Sequence, residues 1–174
     1  GPALGLPEPG ADLEDPPPWL STMLGWPPLR NTIVALTVTN PIATRSLLAS
    51  LMERKEAASE TAVAILQKPM TLEHSTEDFG KWLQYFTAPD RAALSSRPGN
   101  YAKLSMPVAM IWGDKDSVTP LQQGERLKTL VPGATLTIIP GSGHMPHMED
   151  PAAFDAALLK ALAQLSSAKP GFKS

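Results

Sequence analysis

Two short apolar runs set the strongest limit on what this chain can fold into. Residues 106–112 (MPVAMIW) are continuously apolar and bracketed by Pro107 and Gly113. Residues 134–139 (ATLTII) follow some twenty positions later. The first, a continuous apolar run, predicts a strand buried on both faces, as in a parallel sheet, and the second reads as another buried strand. Between them, Thr119-Pro120 predicts a helix start, with Gln122 completing a capping box. Leu121, Leu127, Leu130 and Val131 give that helix its inner face, and Pro132-Gly133 stop it. After the second run comes a loop over residues 140–149. Asp150-Pro151 then caps a last helix with Phe154, Ala157, Leu158, Ala161, Leu162 and Leu165 on one face, and a polar, frayed tail is expected from Ser166.

Strand, helix, strand, helix is an α/β pattern. Two parallel strands are nevertheless too few, because sheets usually hold about 4 to 6. Strands buried on both faces need neighbours to satisfy the hydrogen bonds at both edges. The fold class expected is therefore a partial α/β core, completed by strands from a missing N-terminal half or from another chain.

Residues 1–100 have a different character. Of the 19 prolines, Pro2, Pro7, Pro9, Pro16, Pro17, Pro18, Pro27 and Pro28 fall in the first 30 positions. That density argues against regular helix or central strand and predicts an extended lead-in. Residues 32–38 are ambiguous, strand by composition and helix by neighbourhood. Asn40-Pro41 reads as an N-cap with a first-turn proline, followed by Leu47, Leu48, Leu51 and Met52 at helical spacing and a polar end over residues 53–56. Ser59 opens a short helix that Pro69 stops. Ser75-Thr76-Glu77-Asp78 reads as a capping box, followed by Phe79, Trp82, Leu83 and Phe86 at helical spacing up to Pro89. The expected division is a helical region over 1–100 and an α/β region over 101–174.

The net charge of −2 gives no reason to expect a nucleic acid or an anionic membrane as partner. The absence of cysteine excludes disulfides, thiolate metal sites and a cysteine nucleophile. No apolar run approaches the roughly 20 residues that span a bilayer.

Two clusters carry chemistry, each at the exit of a predicted buried strand, where open α/β sheets build their sites. The first is Trp112-Gly113-Asp114-Lys115-Asp116-Ser117-Val118-Thr119-Pro120. The second is Pro140-Gly141-Ser142-Gly143-His144-Met145-Pro146-His147-Met148-Glu149-Asp150-Pro151. Alone, the aspartates read as turn residues and the histidine as structural. Together, a strand-end acid and a histidine in a glycine-rich loop are far more specific. Glycines on both sides of Ser142 free the backbone to project His144.

These two segments resemble the acid loop and the histidine loop of the α/β-hydrolases, closest to the capped esterase, lipase and carbon–carbon bond hydrolase branch. The match is strong over about the last 75 residues. Residues 1–100 resemble, more weakly, the helical cap of that family. The resemblance puts the family acid on Asp116 and its histidine on His144, in the family's chain order. Asp116 would then fix the imidazole tautomer, and His144 would carry the proton to and from a serine hydroxyl. His147 is the competitor, and His74 reads as a surface residue. The resemblance implies no cofactor and no metal.

The chain departs from the family in two respects: it has no G-x-S-x-G nucleophile elbow, and no oxyanion-hole loop. The expectation is a hydrolase of ester, thioester or similar acyl substrates whose serine and oxyanion hole lie on a separate N-terminal half, as cleavage of one precursor would leave it. Residues 1–7 resemble the loop that precedes the cap. The substrate expected is small and apolar, with Val118, Met145, Trp82, Phe86 and Trp26 as candidate liners and Trp19 beside them. An acyltransferase on the same fold, an aspartate nucleophile, or a non-catalytic scaffold are the alternatives.

Overall fold

The computed structural model describes residues 17–87 and 94–167 of the chain. These form two compact units. One gathers residues 17–50 and 56–87, and the other gathers 51–55 and 94–167. The expected lead-in over residues 1–16, the stop at Pro89 and the tail beyond 167 lie outside the described residues.

The first unit is helical: α1 (Pro18–Gly25), α2 (Pro27–Thr37), α3 (Pro41–Ser50), α4 (Glu60–Gln67) and α5 (Ser75–Thr87). Here the described prolines start helices instead of preventing them. Pro18, and Pro27 with Pro28, occupy first-turn positions of α1 and α2, where a missing N–H costs nothing and φ is already helical. The extended lead-in is thus corrected over residues 17–28. Residues 32–38 fall in α2 and its C-terminal end, and Val34 is fully buried. Burial of one such side chain is worth about 1.5–3 kcal/mol, enough to override its β-branched propensity. The Asn40 side chain accepts from the Ile42 amide at 3.0 Å, and Ser59 accepts from Ala62 at 3.2 Å, so both caps form as read.

The box at Ser75 does not form. Its hydroxyl donates instead to the Met70 carbonyl at 2.9 Å, and Asp78, the acid of that box, lies 3.6 Å from Lys81. Arg30 is buried where α1, α2 and α5 meet, donating to Gln84 Oε1 at 2.8 Å and more weakly to the Leu24 carbonyl. The α5 aromatics stack on one another, with Trp82 and Phe86 ring centres 4.9 Å apart.

The second unit holds β1 (Ala109–Gly113), α6 (Leu121–Leu130), β2 (Thr135–Ile139), α7 (Pro146–Glu149) and α8 (Pro151–Ser167). The strands pair in parallel, from Ala109 opposite Thr135 to Gly113 opposite Ile139. α6 is the crossover, and α6 and α8 both pack on the strands. Burial on both faces is not reached: Ile138 is 41% exposed and Thr135 is exposed. The strand pair has no further described strand at either edge. α8 likewise buries only Ala157 and Ala161 of its expected face, leaving Leu158 and Leu162 substantially exposed. It keeps its helical form through Ser167, past the expected fraying at Ser166.

Candidate active site

The end of β1 is fixed by contacts a glycine alone permits. A Cβ at Gly113 would overlap the carbonyl oxygens of Ser142 and Gly143, so strand exit and histidine loop touch backbone to backbone. Two more bonds tie these loops together. Asp114 Oδ1 accepts from the Gly141 amide at 2.6 Å, and the Lys115 amide donates to the Ser142 carbonyl at 2.9 Å. Gly141 takes φ 64°, the left-handed turn that the glycine-flanked serine predicted. Gly143 has no such angle. Its amide donates to Glu149, and a Cβ there would meet the Glu53 amide nitrogen at 2.7 Å.

This packing brings Asp116 and His144 together. The buried Asp116 carboxylate lies with Oδ2 2.9 Å and Oδ1 3.2 Å from His144 Nδ1. The same carboxylate accepts from the Val118 amide at 2.9 Å, the Thr119 amide at 2.8 Å and the Thr119 hydroxyl at 2.6 Å. Burial pushes the Asp116 carboxyl up. The Thr119 hydroxyl and amide, the His144 ring and the Val118 amide outweigh it and hold the group below the ordinary aspartate value. The His144 side chain is 34% exposed, and its Nε2 has no protein partner among the described residues.

Thr119 is the partner that sequence reasoning missed. Assigned to a capping box, its hydroxyl instead binds Asp116, and α6 begins after Pro120 with no side-chain cap. Its carbonyl accepts from Trp112 Nε1 at 2.8 Å, which anchors the acid loop to β1. Glu149 was also missed. It is buried and accepts from the amides of Gly143, Met145, Glu53 and Arg54. No local signal announces it, since half its donors lie about 95 residues away in sequence.

Val118 and Met145 flank the pair and are half-buried. Trp26, Trp82 and Phe86 belong to the helical unit, where they are 60%, 51% and 45% exposed. Trp19 is exposed there too. His147 is exposed on α7 with its ring edge-on to Phe154 at 5.7 Å, and exposed His74 lies 3.4 Å from the Glu73 carboxylate. Among the described residues no cluster of three histidine, aspartate or glutamate side chains is set to hold a metal ion. Within them no helix is long and apolar enough to cross a membrane.

A family model described as the alpha/beta hydrolase fold matches residues 18–151. An uncharacterized protein of Mycobacterium tuberculosis is 43% identical over 54 residues, 31% of this chain and 16% of that protein. The solved 2-hydroxy-6-oxo-6-phenylhexa-2,4-dienoate hydrolase of Rhodococcus sp. strain RHA1 aligns with a TM-score of 0.61 at 16% identity, over 88% of this chain and 52% of that one. The meta-cleavage product hydrolase of Pseudomonas fluorescens IP01 aligns with a TM-score of 0.60 at 19% identity, over 72% of this chain and 46% of that one. The matched region thus spans about half the length of these solved chains.

Proposed function

Because this chain belongs to the α/β-hydrolase family, we propose that it supplies the acid and the histidine of a Ser-His-Asp hydrolase whose serine and oxyanion hole lie on a separate N-terminal half. The observation that carries this reading is the 2.9 Å contact between the buried Asp116 carboxylate and His144 Nδ1, with Nε2 left without a partner among the described residues. The absence of a G-x-S-x-G segment in the 174 residues, and a strand pair with no further described strand at either edge, support the second half.

The chemistry follows from the geometry. Asp116 holds the proton on Nδ1, which leaves Nε2 as the base. Nε2 takes the serine proton as the oxygen attacks the acyl carbon. It then returns that proton to the departing alcohol, thiol or carbon as the scissile bond breaks. Water repeats the sequence: Nε2 removes its proton, hydroxide attacks the acyl-enzyme, and the serine recovers the proton as the acid leaves. The substrate is a small, apolar ester, thioester or similar acyl compound. The half-buried Val118 and Met145 beside the pair suit such a ligand.

A fluorophosphonate probe tests this reading on material co-purified with the chain. The expected result is a labelled second polypeptide carrying G-x-S-x-G, with labelling abolished by His144→Ala. An assembly that hydrolyses p-nitrophenyl esters yet takes no probe would overturn the serine, and a stable monomer with no second polypeptide would overturn the two-part enzyme.

A further inference from the structure

Resting on the role just given to His144, we propose that Glu149 is its positioning residue, acting through the backbone on both sides of the ring. Oε1 accepts from Met145 at 3.2 Å and from Gly143 at 2.9 Å. Oε2 accepts at 2.9 Å from Gly143, Glu53 and Arg54. The residues before and after His144 therefore hang on one buried carboxylate. The His144 amide completes the hold by donating to the Leu51 carbonyl at 3.0 Å.

The Leu51–Lys55 segment is the other jaw of this clamp. Arg54 donates from Nε to the Gly141 carbonyl at 3.0 Å and from Nη1 to Asp150 Oδ2 at 2.9 Å. It reaches the Pro140 and Glu149 carbonyls at 3.3 Å. A short stretch distant in sequence thus fixes the loop from its first residue to its last. Both oxygens of Glu149 face N–H donors, so only an acceptor-only group fits. A glutamine would turn its own NH2 against two or three of them, leaving buried donors unsatisfied.

The test is nuclear magnetic resonance of the full chain carrying 15N-histidine, with the His144 signal assigned by its loss in His144→Gln. In the unaltered chain the Nδ1 proton bound to Asp116 is expected to exchange slowly. In Glu149→Gln it should exchange about 10- to 100-fold faster, while protection of the β1–β2 ladder stays unchanged. A folded Glu149→Gln chain with unchanged Nδ1 exchange would overturn the proposal. Should that variant not fold, hydrogen exchange of the unaltered chain decides. The Glu53, Arg54, Gly143 and Met145 amides are expected to open as one unit, the Nδ1 proton with them, and independent opening would overturn the clamp. Neither measurement involves a nucleophile. An assembly that takes the serine probe while Glu149→Gln leaves the ring unmoved defeats the clamp alone, and a dependent ring in an assembly that takes no probe defeats the serine hydrolase alone.

Discussion

Asp116 shows how much a single carboxylate can be asked to do. Being buried, it is expensive to ionise, yet four donors converge on it and hold it below the ordinary aspartate value. One of those donors is the imidazole it orients, so the charge stabilises the fold and sets the ring together. On unfolding the carboxyl returns to an ordinary value of about 3.9. The unfolded chain therefore takes up a proton first as the pH falls. The stability Asp116 contributes is complete above that value and drains away as the pH drops through the lower, folded one. Asp150 is depressed as well, by the Ala153 amide and Arg54, and is common to any comparison. Asp116→Asn should therefore lose less stability than the unaltered chain between pH 4 and pH 2. Thermal unfolding at both pH values measures this, and equal losses would contradict it. Under the proposed function, the same variant should lower the turnover of the two-part enzyme about 10⁴-fold, as expected when the ring is left in the wrong tautomer.

At the scale of elements, local pattern and distant partners divide what the residues announce. β1, α6, β2 and α8 were legible because buried strands and proline- or aspartate-started helices are written in consecutive residues. The caps at Asn40, Ser59 and Asp150 were legible for the same reason. The boxes at Ser75 and Thr119 failed because each hydroxyl found a competing partner, Met70 in one case and Asp116 in the other. The contact between Asp116 and His144 was anticipated by pairing two motifs. Thr119, Glu149 and the Leu51–Lys55 jaw were not, since their meaning lies in contacts that spacing does not encode. Gly113 stands between these cases: it was seen as a strand boundary, but its purpose is close approach. Gly113→Ala should drive the strand end off the histidine loop, at about 3 kcal/mol, the upper end of ordinary overpacking. Equilibrium urea unfolding should show a lower midpoint at unchanged slope, and an unshifted midpoint would mean that the loop yields without cost.

Across the whole molecule, the unresolved demand is the sheet. Among the described residues, a pair of five-residue strands leaves rows of N–H and C=O groups at both edges, and Ile138 on β2 exposes apolar surface. The two strands do not carry this demand equally. Residues 106–112 lack polar interruption, whereas β2 alternates threonine with aliphatics and exposes Thr135. An uninterrupted run marks a strand covered on both faces, and the exposed Thr135 and Ile138 mark β2 as the less covered of the two. Under the proposed function, the strand arriving from the nucleophile-bearing half should therefore pair with β1, leaving β2 at the edge. A partner at 100 times its dissociation constant stabilises the folded chain by about 2.7 kcal/mol. Amides that exchange only through global unfolding should then slow about 100-fold. Beyond that common gain, residues 109–113 should acquire protection that residues 135–139 do not. Hydrogen exchange on the chain with and without its co-purified half reads the difference directly. Extra protection centred on β2 would reverse the order of the strands and place the incoming half on the far side of His144.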